Sequence, residues 1–568
     1  MDIATTIRSV IHKNHRIFFF GGLLLLNLIQ AGKTELFDDE AYYWVYSNYS
    51  AWGYFDHPPM VAILIKAGYF FFRNEFGVRL MTVLISTATL IIVQHLLPKK
   101  NDPLFYALVF CIAIFQVGGF IAIPDIPLLF FIAVFFWVYR KFIQHPTLYN
   151  CLLLGSSMAL MSYCKYQAVL VIFFTLTSYP KLFKNYHIYV AAGVALLLFL
   201  PHLYWQYSHD FISLQYHLID RYIQNQQYSF SYILDYLAGQ FLLAGPLAAP
   251  LLLWAVFMYH PKDYFEKALL ATIVGTYVFF LLVSLKGRVE ANWTTPVLVP
   301  MILLCHQYFS EKKEMTKWIF RLGKITFLLV LLLRIAMISE VPLSRYIKNN
   351  EIHGNRQWVE AIQQKAKGMP VLFTDSYQFA SKYWFYSGHP SFSLNTPLYR
   401  RNNYNLWPHE DAYLQKTIYM VGGFDSAFLK DSIVSEKGLQ GGAIIPHYLS
   451  FSQIKISPQK RIFAVDGIAK DIRIDVYMNE RTRKYITSTS SKSFPIQLWI
   501  WGKGIPPITI NTFVSLDQMS KTENDLTISF PFDLPAGKYL GQFNIPTIIP
   551  KRSSINSSFV ILNAKGVY

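Results

Sequence analysis

Directly after the first apolar stretch of the chain comes Phe37-Asp38-Asp39-Glu40-Ala41-Tyr42-Tyr43-Trp44, and shortly beyond it Gly53-Tyr54-Phe55-Asp56-His57-Pro58-Pro59. Carboxylates set among aromatic rings, with a histidine close by, are the residue types that take up protons and hold hydroxyl groups. On a helix Asp39, Tyr43 and Tyr46 share one face, and Glu40 lies with Trp44 on another. Asp38 or Asp39 suits the start of that helix as a cap. Two readings stand side by side: a capped helix with an interfacial aromatic belt, or a carboxylate that removes a proton from an acceptor hydroxyl. Further polar chemistry sits at Asp125, Lys165, Arg288 and Glu290, each at the end of an apolar run.

The elements that must position these groups are membrane helices. The chain has 568 residues, of which 53% are hydrophobic, 17% aromatic and only 15% charged, whereas soluble proteins carry about a quarter charged residues. The apolar runs are long enough to cross ~30 Å of hydrocarbon. They predict about eleven spans, near 17–32, 78–97, 103–122, 124–139, 149–163, 166–180, 188–205, 232–258, 268–285, 293–309 and 318–339. The piece 58–72 opens with Pro58-Pro59 and contains Lys66, so it is expected to lie along the interface as an amphipathic helix.

A net charge of +17 raises nucleic acid as a partner. The positives, however, gather in short loops: Arg8, Lys13 and Arg16; Lys99 and Lys100; Arg140 and Lys141; Lys181 and Lys184; Lys262 and Lys267; and Lys312 to Lys324. With the spans above, all six clusters fall on one side, which is cytoplasmic by the positive-inside rule. The partner is therefore a membrane and no nucleic acid is expected. Loops 33–77, 206–231 and 286–292, the turns at 123–125 and 164–166, and everything after 340 fall on the other side. A charge near the bilayer core costs roughly 2.5–3.5 kcal/mol on insertion scales, so Asp125, Lys165, Arg288 and Glu290 are expected to converge on one functional cavity.

The first segment has basic residues before it but no small-residue cleavage site, and is expected to stay as an anchor. Cys111, Cys151, Cys164 and Cys305 all lie in or beside membrane segments, so no disulfide framework is expected in the outer region. After residue 340 the pattern changes. Pro370–Asp375 reads as a buried strand, Ser376–Tyr386 as the helix after it and Thr417–Val421 as a second strand. These suggest an α/β domain over 341–470. The runs Ile472–Tyr477, Ile496–Ile500 and Leu526–Phe530 suggest a β-rich module, a sandwich in outline, over 471–568.

Taken in order, several motifs resemble the C-type membrane glycosyltransferases of family 39 and its neighbours, the protein O-mannosyltransferases and the lipid A aminoarabinose transferases. They are Asp39-Glu40-Ala41-Tyr42-Tyr43, Gly53–Pro59, Gly77-Val78-Arg79-Leu80, Pro124-Asp125-Ile126-Pro127-Leu128, Cys164-Lys165-Tyr166 and Lys286–Trp293. The resemblance covers roughly 15–340 and, weakly, the α/β part through Arg400–Trp407. It implies a polytopic helical enzyme that transfers a sugar, with inversion, from a polyprenyl-phosphate donor to a hydroxyl of a lipid, glycan or protein. The implied place is the non-cytoplasmic face of the cell's inner membrane, so that the active site and C-terminal region are periplasmic.

By resemblance Asp39 is the base, with Glu40 beside it and Asp125 a second acid. Lys165, Arg221, Arg288 and His57 are the positive partners of the leaving phosphate. Tyr43, Glu290, Asn292 and Arg400 are left to line the substrates. For Arg400, in Arg400-Arg401-Asn402-Asn403-Tyr404, a solvated loop is the other reading. The aminoarabinose transferases also imply a divalent cation (Zn, Mg or Mn) with Asp56 and His217 as ligands. Two protein ligands make an incomplete site, and Asp56 with His57 reads equally as a hydrogen-bonded loop pair. A transporter or flippase of lipid-linked sugars is the main rival. It would place acids at mid-membrane, on broken helices in paired halves. A glycan-binding receptor leaves the acids and bases of the outer loops unexplained.

Overall fold

The computed structural model describes residues 14–98, 101–217, 230–339, 350–423, 425, 428–465, 469–488, 494–502, 505–516, 518, 526–531, 535–549 and 552–564. The chain divides into two compact units: Met1–Leu214 with Tyr228–His353, and Gln215–Gln227 with Gly354–Tyr568.

The first unit is helical, and each apolar stretch of the sequence forms helix. Five helices are long and apolar enough to cross a membrane: His15–Lys33, Glu75–Leu96, Asp125–Gln144, Tyr186–Ser208 and Tyr264–Ser284. Two further candidates are helix pairs bent by 93°, Asp102–Cys111 with Ala113–Phe120 and Ser231–Ala244 with Ala249–Met258. The described residues thus hold five to seven candidate spans instead of eleven. Leu148–Ser162, Ala168–Thr177 and Leu298–Ser310 are too short: at 1.5 Å per residue they fall well short of ~30 Å. Lys313–Ile338 is long enough but carries Arg321, Lys324 and Arg334. The segment expected along the interface is the 12-residue helix Met60–Phe71, with Phe70 and Phe71 exposed.

Polar side chains cap several starts: Asn74, Asn101, Thr147, Asn185 and Asp263 each accept a hydrogen bond from a backbone amide of the first turn. Close helix packing depends on Gly155, where an added Cβ would lie 2.4 Å from the carbonyl oxygen of Ala191. Contacts sort the connections to two ends. At one end Arg16 pairs with Asp102 at 2.7 Å, Arg140 donates to the Leu96 carbonyl and His306 meets the Asn101 carbonyl. Lys262 meets Glu311 at 3.0 Å. Thus Arg16 and Arg140, from two of the basic clusters, meet Asp102 and Leu96 on either side of the third; Arg8, Lys13, Lys99 and Lys100 lie outside the described residues. At the other end the loops after Lys33, Ile121 and Ser162 meet, as described below.

The second unit begins with a five-stranded sheet: β1 (Val371–Thr374), β2 (Phe392–Leu394), β3 (Ile418–Gly423), β4 (Asp431–Ser435) and β5 (Gly438–Ile445), in the order β2-β1-β3-β5-β4. β1 runs parallel to both β2 and β3, with helix Tyr377–Ser387 as the crossover, and β5 and β4 close the sheet antiparallel. The β-rich part starts earlier than residue 471, because β6 (Lys455–Pro458) and β7 (Ile462–Val465) already pair into its sheets. Those sheets also contain β8 (Ala469–Tyr477), β9 (Pro495–Gly502), β10 (Ile505–Ser515), β11 (Leu526–Pro531), β12 (Gly537–Pro546), β13 (Ser553–Ile555) and β14 (Val560–Ala564). One has the order β10-β9-β12-β14-β7 with β13 on β12, the other β11-β8-β6. Both donate alternate side chains, among them Ile472, Ile474, Leu498, Ile500, Phe543 and Leu562, to one apolar core. That is a sandwich.

His409 packs against the rings of Trp384 and Trp407, and burial pushes its imidazole down to about 4. Between pH 6.5 and about 4 the unfolded chain protonates this ring and the folded chain does not, so its contribution to stability is lost as pH falls through that window. Thermal unfolding of the full-length protein and of His409→Phe across this range should show the variant gaining on the wild type toward acid pH.

Candidate active site

The helix Asp38–Asn48 opens with three acids in its first turn, where the helix dipole favours negative charge. Glu40 is the innermost and is fully buried. Its Oε2 accepts the backbone N–H of Phe37 at 3.0 Å, which caps the helix. Arg79, on helix Glu75–Leu96, grips the carboxylate with two fingers, Nε to Oε1 at 2.8 Å and Nη2 to Oε2 at 2.5 Å. The backbone N–H of Ala122 also donates to Oε1 at 2.8 Å. Arg79 spends its remaining donors on the carbonyls of Ala31, Thr34 and Glu35. Every strong acceptor direction of Glu40 is therefore taken, which makes it a fixed anchor for the acidic motif. Asp39, one residue earlier, is exposed.

Asp56 is 7% exposed and its Oδ2 accepts the hydroxyls of Tyr42 at 3.2 Å and Tyr46 at 3.1 Å. Burial, with Tyr42 and Asp56 alongside, pushes the Tyr46 phenol well up, so it stays a donor. Tyr54, pushed up to about 12 by burial, donates to the carbonyls of Tyr46 and Tyr49 and closes the aromatic turn. Gly53 is needed there: a Cβ would lie 2.4 Å from the Trp205 ring. Tyr43 is buried in this cluster, with His57 edge-on at 5.6 Å.

Asp125, the first residue of helix Asp125–Gln144, and Lys165, in the turn before helix Ala168–Thr177, form a buried pair with Nζ 2.9 and 3.0 Å from the two carboxylate oxygens. They are 1% and 3% exposed. Asn292, at the start of the 3-10 turn Ala291–Val297, donates to Oδ2 of Asp125 at 3.3 Å. Three residues named from the sequence thus come together from three separate connections. The segment that carries Asp125 is the one whose Ala122 amide binds Glu40, so the two acid centres share a mount. Arg288 and Glu290 form a surface pair, 3.5 Å apart and 62% and 40% exposed at their side chains. A pair so exposed adds at most about 1 kcal/mol.

Arg400 and His217 belong to the second unit, where the Arg400 guanidinium lies over Tyr377 at 4.7 Å and Tyr216 at 5.9 Å, and His217 packs on Tyr216. Arg221 lies outside the described residues. Among the described residues no three His, Cys, Asp or Glu side chains gather as metal ligands. Oδ2 of Asp56 is already engaged by two phenols, and His217 falls in the other unit. That donor set does not complete a four-ligand zinc site. Arg79 is legible in the sequence only as part of Gly77-Val78-Arg79-Leu80, where the signal is a cation one turn into an apolar helix, and Ala122 belongs to no motif.

A model of the dolichyl-phosphate-mannose-protein mannosyltransferase family matches residues 56–205. Over that stretch the chain is similar to these glycosyltransferases. It is 25% identical over 295 residues to the lipid A galacturonosyltransferase RgtD of Rhizobium johnstonii, a match over 48% of this chain and 60% of that protein. Its fold is that of ArnT from Cupriavidus metallidurans. The apo crystal structure superposes with a TM-score of 0.56 at 12% identity, covering 76% of this chain and 98% of ArnT. The structure of ArnT bound to undecaprenyl phosphate gives 0.55 at 13%.

Removing one partner of the Glu40–Arg79 pair strands a buried charge. Glu40→Leu and Arg79→Met should each cost about 3–5 kcal/mol, and the double variant less than their sum, in unfolding measurements on detergent-purified protein.

Proposed function

We propose that this chain transfers a sugar from a polyprenyl-phosphate donor to an acceptor hydroxyl, with inversion, at the non-cytoplasmic surface of the inner membrane. The observation that carries the reading is the shared mount. One short segment, Ala122–Asp125, ties the anchored start of the Asp39 helix to the buried Asp125–Lys165 pair; that segment and Lys165 lie within residues 56–205, which match the mannosyltransferase family, and the Asp39 helix precedes them. RgtD, by its name a lipid A galacturonosyltransferase, favours lipid A or a related envelope glycolipid as acceptor. ArnT, solved with undecaprenyl phosphate, favours that class of lipid in the donor.

In this reading Asp39 takes the proton of the acceptor hydroxyl as its oxygen attacks the anomeric carbon. The bond from that carbon to the phosphate oxygen breaks, and the lipid phosphate leaves with the bonding electrons. Inversion needs base and leaving group on opposite faces of the sugar. Lys165, with one N–H beyond the two aimed at Asp125, is the cation best prepared to meet the developing phosphate charge. Arg288, exposed at a loop, and Arg221 are further candidates. Glu40 holds the turn that presents Asp39. Asp56 and His217 remain the candidates for a divalent cation, and no step above depends on one.

Purified protein incubated with a panel of polyprenyl-phosphate sugars and lipid A should form a glycosylated product. Losing a general base costs about 10²–10⁴-fold, so Asp39→Asn should lose that much while folding normally. Transfer at the wild-type rate in folded Asp39→Asn would remove the proposed base.

A further inference from the structure

Arg334 sits four residues before the end of helix Lys313–Ile338, and it is 2% exposed. An arginine is always charged, and in apolar surroundings it is costly unless a carboxylate or several acceptors compensate it. Among the described residues no carboxylate does so. Nη2 donates to Oδ1 of Asn27 at 2.5 Å and to the backbone carbonyl of Gln116. Nε and Nη1 have no hydrogen-bond partner among the described residues. The guanidinium carbon also lies over the Phe120 ring, 5.2 Å from its centroid. Packing alone would be served better by leucine or methionine, so the charge needs another reason.

The reason lies in what the two acceptors do. Gln116 belongs to the short helix Ala113–Val117, which follows the 93° bend after Cys111. The carbonyls at the end of so short a helix need external donors, and Arg334 supplies one. From there the chain runs through Phe120 to Ala122, whose N–H binds Glu40, and on to Asp125. Phe120 is fully buried and receives both cations, Arg79 at 5.5 Å and Arg334 at 5.2 Å. Gly119, between bend and ring, packs so tightly on Asn27 that an added Cβ would lie 2.7 Å from Nδ2. Its carbonyl accepts from Ser86 Oγ at 2.9 Å.

We propose that Arg334 is a positioning residue for sugar transfer. It clamps the end of the bent helix, so that Phe120 rests against Arg79 and segment 121–125 delivers the Ala122 amide to Glu40 and Asp125 to Lys165. It touches no reacting atom and acts on Asp39 through Glu40. This rests on the function proposed above.

The test uses full-length protein with Arg334→Met, Arg334→Lys and Phe120→Leu, read as kcat, donor KM and amide hydrogen exchange. A misplacement of about 1 Å costs roughly 10²-fold in rate. Arg334→Met and Phe120→Leu should therefore lower kcat at least tenfold, with donor KM within about threefold. Arg334→Lys, which can still donate to Asn27 and Gln116, should recover most of the loss. The amides of 116–125 should exchange faster in the first two variants. Unchanged kcat in Phe120→Leu, a loss confined to KM, or a lysine variant as poor as methionine overturns the proposal. Should Arg334→Met fail to fold, Phe120→Leu decides by the same criteria. If the wild type uses no lipid-phosphate sugar, the functional reading fails by itself; exchange at 116–125 then decides the clamp, and unchanged exchange overturns it.

Discussion

A buried carboxylate closed on every side, Glu40 held by Arg79 and by the amides of Phe37 and Ala122, is the constraint on which the first unit depends. In a low-dielectric interior an ion pair is tolerated only when its geometry is near ideal and its remaining donors and acceptors are satisfied. Here Arg79 meets that condition by reaching back to the carbonyls of Ala31, Thr34 and Glu35 at the end of the first helix. One guanidinium thus ties together the exit of the first span, the acidic motif, the span Glu75–Leu96 and the chain leading to Asp125. Any shift of one moves the others.

Around that anchor the chemistry is divided between held and exposed groups. Glu40, Asp56, Asp125 and Lys165 are buried and hydrogen-bonded, while Asp39 stands on the surface of the same helix turn. In the proposed reaction the base must be reachable by its substrate, whereas the groups that aim it must not move. The aromatic turn from Tyr42 to His57 follows the same division: its phenols stay protonated because burial pushes Tyr46 and Tyr54 upward, so they act as fixed donors. In the second unit a small parallel sheet and a sandwich each bury their own core. Their strands read from the sequence because alternation survives in Ile496–Ile500 and Ile472–Tyr477.

The eleven apolar stretches were legible as helices, since an apolar run leaves the backbone no better way to satisfy its hydrogen bonds. Their lengths were not. The bend after Ala244 falls on Gly245-Pro246, with Gly245 at φ 136°, a local breaker, whereas the equal bend after Cys111 has neither glycine nor proline at Ile112. Of the six basic clusters, contacts bring Arg16 to Asp102 and Arg140 to the Leu96 carbonyl at one end. Of the site, Asp125, Lys165 and Asn292 were named from the sequence and meet in space. Arg334 and Ala122 were not named, because a lone arginine or a backbone amide carries no pattern along the chain.

Composition and motif order by themselves determined a membrane protein with acids and cations at helix ends, because burying charge in hydrocarbon is too costly to occur without purpose. Which carboxylate is locked and which is presented was decided only by the tertiary structure. Asp39 and Glu40 are neighbours with the same chemistry, and what separates them is a guanidinium thirty-nine residues away and an amide eighty-two away. Such contacts follow from how helices pack, and no local spacing encodes them.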